Sequence, residues 1–69
     1  MVTVWEANLD EKYECRVNRT KPYTGVLTIT EDGKELFSKD VSIAYDAQFG
    51  PDVSDVMEWQ DICVEFIDG

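Results

Sequence analysis

The chain has 69 residues and a formal net charge of −9, from fifteen acids against six bases and no histidine. One domain spanning 1–69 is the expectation at this size, because a chain so short buries only roughly 60% of the surface that its unfolded form exposes. A hydrophobic fraction of 43%, with two Trp, three Tyr and three Phe, excludes the disordered acidic class, and no apolar run approaches the roughly 18 residues of a membrane span.

Met1–Asn8 lacks the basic start and long apolar stretch of a secretory signal, so a cytoplasmic setting is expected. In the first segment Val2, Val4 and Leu9 alternate with Thr3 and Glu6 around Trp5, which predicts a strand ending at the polar cluster Asn8–Lys12. Tyr13, Cys15 and Val17 then alternate with Glu14, Arg16 and Asn18, the period of a strand with one buried and one wet face. Thr20-Lys21-Pro22-Tyr23 reads as a connection, since proline removes a donor and holds Lys21 extended. The strongest local signal is a β-hairpin. Gly25–Thr30 is rich in Val, Leu, Ile and Thr, Asp32-Gly33 tolerates the positive φ of a two-residue turn, and Glu35–Ile43 sets Phe37, Val41 and Ile43 on one face.

After Tyr45 the pattern stops, and residues 46–51, ending in Gly50-Pro51, read as a loop. A helix over about 52–67 follows, capped by Asp52 or Ser54. Its apolar arc is expected to run through Val53, Val56, Met57, Cys63, Val64 and Ile67, with Trp59, Ile62 and Phe66 at the border. The fold class is therefore α+β: a small antiparallel meander of three to four strands within about 2–45, with one C-terminal helix packed on one face.

Charge is divided unevenly along this chain. Residues 1–39 hold all six bases and seven acids, whereas residues 40–69 hold eight acids and no base. On a helix, Glu58, Asp61, Glu65 and Asp68 are three, four and three positions apart and form one stripe, which Asp55 extends toward the start. Like-charged neighbours at this spacing each cost about 0.2–0.5 kcal/mol, and Glu65 and Asp68 sit where the helix dipole prefers cations. Folding alone is better served by Lys or Arg there.

Carboxylates about 5–6 Å apart on a rigid rod approach the spacing of successive phosphates. The stripe Asp55, Glu58, Asp61, Glu65 and Asp68, with Trp59 as an apolar anchor, is thus the candidate partner-binding surface, and a protein with a basic, nucleic-acid-binding groove is the candidate partner. Small acidic domains of this kind suit phage or mobile-element regulators by analogy. The alternative is a structural or self-associating domain whose acidic face is only solvated, and the sequence leaves monomer against homodimer undetermined.

Other chemistries have little support in the residues. With no histidine, no nucleophile in a recognisable setting and no glycine-rich phosphate loop, catalysis is not expected, nor is a cofactor. Room for a substrate pocket of about 300–1,000 Å³ is not expected either. Cys15 and Cys63 cannot complete a usual zinc set, and no loop has the carboxylate ladder of a calcium site, so no metal site is assigned. The two thiols are expected reduced and buried. Arg16, Arg19 and Lys21 near Tyr13 and Tyr23 form a basic, aromatic-flanked patch, but at −9 overall direct nucleic-acid binding is not expected, and pairing with Glu14, Glu6 or a neighbouring subunit is.

Overall fold

Strands with one apolar and one polar side can bury only one face of a sheet, and a single helix is enough to cover it. The computed structural model, which describes residues 2–44 and 50–69, has this α+β architecture. Strands β1 (Val2–Leu9), β2 (Tyr13–Lys21), β3 (Thr24–Glu31) and β4 (Lys34–Ser42) pair antiparallel in the order β1-β2-β3-β4, followed by the helix α1 (Val53–Asp68). Tyr45 and most of the expected loop at 46–51 lie outside the described residues.

Each turn has a local cause. Asp32 and Gly33 take φ of 53° and 81° between Glu31 and Lys34, which pair directly, so the hairpin turn has both central residues left-handed as its handedness requires. Asp10 and Glu11 also take positive φ, 53° and 60°, in the three-residue connection between β1 and β2, where the Lys12 amide donates to the Leu9 carbonyl. The β2–β3 connection is shorter than expected. Both Thr20 and Lys21 belong to β2 and Lys21 pairs with Thr24, because Pro22 pre-sets φ for the first central position of a two-residue turn.

Register then sorts the side chains. Trp5, Val17 and Leu27 lie in one row across the sheet, and Ala7, Cys15, Ile29 and Phe37 in the next. The core formed by these rows and the helix comprises Cys15, Val17, Leu27, Ile29, Val41, Ile43, Trp59 and Cys63. Glu6, Arg16, Thr28 and Ser38 make a row on the opposite, open face. Both edge strands carry an irregularity in pairing, β1 between Thr3 and Trp5 and β4 opposite Ile29 and Thr30, and β4 adds exposed Lys34, Glu35, Lys39 and Asp40. Bulges and charges of this kind discourage edge-to-edge pairing.

The helix sits on the sheet differently from expectation. Trp59 and Cys63 are wholly buried, Val56, Ile62 and Phe66 pack against the core, and Val53, Met57 and Val64 face outward. Its docked face is turned by about 100°, one residue's worth, from the arc that the apolar count predicted. The reason is area. An aromatic side chain buries about 150–250 Å², so Trp59 against Trp5 at 5.8 Å between ring centroids and Phe66 against Phe37 at 5.2 Å outweigh a larger number of small aliphatic side chains. Among the described residues no helix is long and apolar enough to cross a membrane.

Candidate functional site

The outward side of α1 is positioned from its first residue. Asp52 is the N-cap, extended at φ −68° and ψ 143°, and its Oδ1 accepts from the Ser54 amide and the Ser54 hydroxyl, each at 2.9 Å. These two bonds serve the ionised form and hold the Asp52 carboxyl below its ordinary value. At the other end Gly69 donates its amide to the Glu65 carbonyl at 2.8 Å, closing the last turn without any basic side chain.

Two of the sequence-predicted contact residues leave the surface. Asp55 is 8% exposed, and its Oδ2 accepts from the Ala44 amide at 2.6 Å, so it ties the segment after β4 to the helix instead of extending the stripe. Trp59 is fully buried, tilted 47° against Trp5, and cannot anchor a partner. Its indole N–H finds no acceptor among the described residues, so its contribution is apolar area.

Glu58, Asp61, Glu65 and Asp68 remain, all exposed and all on one side of the helix. Among the described residues the ion pairs lie elsewhere. Arg16 meets Glu6 at 3.5 Å and also Glu14 on the open sheet face, and Lys12 meets Glu31 at 3.8 Å. The expected pairing of Arg16 with Glu6 and Glu14 is therefore present. Without Asp55 the stripe has three like-charged neighbour pairs, for a cost of roughly 0.6–1.5 kcal/mol on an exposed helix.

Sequence reasoning missed a second outward strip, Val53, Met57 and Val64, because it assigned these residues to the core. It also underestimated the open sheet face. A shallow depression of about 360 Å³ lies there, lined by Glu14, Arg16, Asn18, Val26, Thr28, Thr30 and Glu35, which corrects the expectation that no hollow reaches the lower end of ordinary pocket volumes. Its central Arg16 is already neutralised by two carboxylates.

Cys15 and Cys63 are free and fully buried where β2 meets α1. Burial, with a smaller share from the contact with Cys15, pushes the Cys63 thiol up to about 12, far from a nucleophile's range. Among the described residues no three His, Cys, Asp or Glu side chains are gathered as a metal site requires. Compared with known proteins, the chain matches no family model, and no curated protein or solved structure is significantly similar to it.

Proposed function

We propose that this chain is a small, non-enzymatic interaction domain that binds a protein with a basic surface, using the carboxylates of Glu58, Asp61, Glu65 and Asp68 in place of nucleic-acid phosphates. In this reading it inhibits or modulates a nucleic-acid-binding protein in the cytoplasm. The observation that carries the reading is the outward row of four carboxylates on one helix, unaccompanied by any base in residues 40–69. Such a row destabilises the helix that bears it, and its field favours fast, salt-sensitive association with a cationic groove. Asp55 and Trp59 take no part in the contact, being committed to the interior.

The test is capture of partners from the native host in the presence of nuclease, followed by competition against nucleic acid. The expected result is a bound basic protein that elutes as salt rises and whose nucleic-acid binding is displaced by this chain. Lysine at Glu58, Asp61 and Glu65 together should abolish capture with the fold intact by circular dichroism. Equal capture by the triple variant would mean that the row is only solvated.

A further inference from the structure

Charge alone leaves part of this helix surface unused. Val53 is 73% exposed, Met57 60% and Val64 45%. These positions are i, i+4 and i+11, and the exposed Gln60 at i+7 completes the row, so they form one ridge about 16 Å long over three turns. Beside it, one residue further along the chain in each case, stand Glu58, Asp61 and Glu65. Asp68 ends the flank, and at that end Leu9, Asp10, Val64, Ile67 and Asp68 border a hollow of about 160 Å³.

Single exposed aliphatic residues are ordinary. A straight ridge is different, because residues spaced four, three and four apart form the seam along which one helix packs against another. Folding does not need it, since Trp59, Cys63, Val56, Ile62 and Phe66 already cover the sheet. The flanking charge decides what covers it. A second copy applied to this face sets two rows of carboxylates against each other, and nucleic acid or an anionic lipid surface is repelled in the same way. A purely cationic partner leaves the ridge wet.

We propose that the outward face of α1 is the docking site for a basic amphipathic helix of a partner protein. The partner's apolar side seats on Val53, Met57 and Val64, and its Lys or Arg side chains run along the flank to Glu58, Asp61, Glu65 and Asp68. Met57, unbranched and polarizable, adapts to differently shaped apolar neighbours, and the long stems of Lys and Arg cover apolar surface while their heads reach carboxylates. The proposal rests on the reading of the acidic row as a binding surface and adds the shape of what binds.

Two synthetic peptides of about 18 residues, identical in Lys, Leu and Ala content, distinguish the possibilities. One gathers its leucines on one helical face, and the other disperses them. Calorimetric titration into the full chain at about 150 mM salt is expected to give roughly tenfold tighter binding for the amphipathic peptide. The Met57→Ser, Val64→Ser double variant, both sites being exposed, is expected to lose that preference while keeping the binding common to both peptides. The shift of the Met57 methyl resonance on binding should locate the peptide.

Equal affinities for the two peptides, both lost on charge reversal at Glu58, Asp61 and Glu65, would overturn the ridge and leave the acidic-row reading standing. Binding of neither peptide, or binding indifferent to charge reversal, would overturn both. A peptide footprint on the open sheet face, or a dimer in sedimentation that the double variant dissociates, would also overturn the proposal.

Discussion

Gly25 shows how little slack single positions have in a core this thin. A Cβ there would lie 2.5 Å from the Asn18 carbonyl oxygen and 2.8 Å from the Ile43 side chain. The side chain can shift, but the oxygen belongs to the neighbouring strand's backbone and cannot. Gly25→Ala is therefore expected to destabilise the fold by about 1–3 kcal/mol, read as a lower urea midpoint with an unchanged slope. Asp55 and Trp59 make the complementary point about residue type. An acid and an indole, each plausible at a contact surface from the sequence, are both interior, because the Ala44 amide requires an acceptor and Trp5 offers a large aromatic face.

Among the elements, the helix is where sequence and structure diverge most. Its existence and bounds follow from local signals: Asp52 ahead of Val53 caps one end and Gly69 closes the other. Its rotation does not. Periodicity reports which positions share a face, while the face that docks depends on what the sheet presents, here Trp5 and Phe37. The cap has a pH signature. Because the native Asp52 carboxyl ionises more readily than its ordinary 3.8, its stabilisation is complete above that value and is lost as pH falls through the lower native one. Asp52→Asn keeps an acceptor oxygen that does not titrate. Melting temperatures followed from about pH 5 to about 2.5 should fall more for the native chain than for this variant.

For the whole molecule the governing quantity is charge and its placement. Self-repulsion at −9 opposes the compact state, and the repulsion is screened over about 10 Å at 0.1 M salt. Raising sodium chloride from about 20 to about 300 mM should therefore raise the melting temperature. Lysine at Glu58, Asp61 and Glu65 adds two charges per site and brings −9 to −3, so the same salt step should move that variant less. A smaller or equal response in the native chain would show that the row costs the fold nothing.

The sequence by itself determined the α+β class, the meander, the Asp-Gly hairpin and the presence of one terminal helix, because these rest on local matters: period two in Tyr13–Asn18, tolerance of positive φ at Asp32-Gly33, a capping residue at Asp52 or Ser54. It also determined that Glu58, Asp61, Glu65 and Asp68 share a side, since helical spacing alone places them. Only the tertiary structure decided which side of the helix meets the sheet. That choice turns on the area two aromatic pairs can bury together, a property of no single segment, and it moved Asp55 and Trp59 inward and left Val53, Met57 and Val64 facing water.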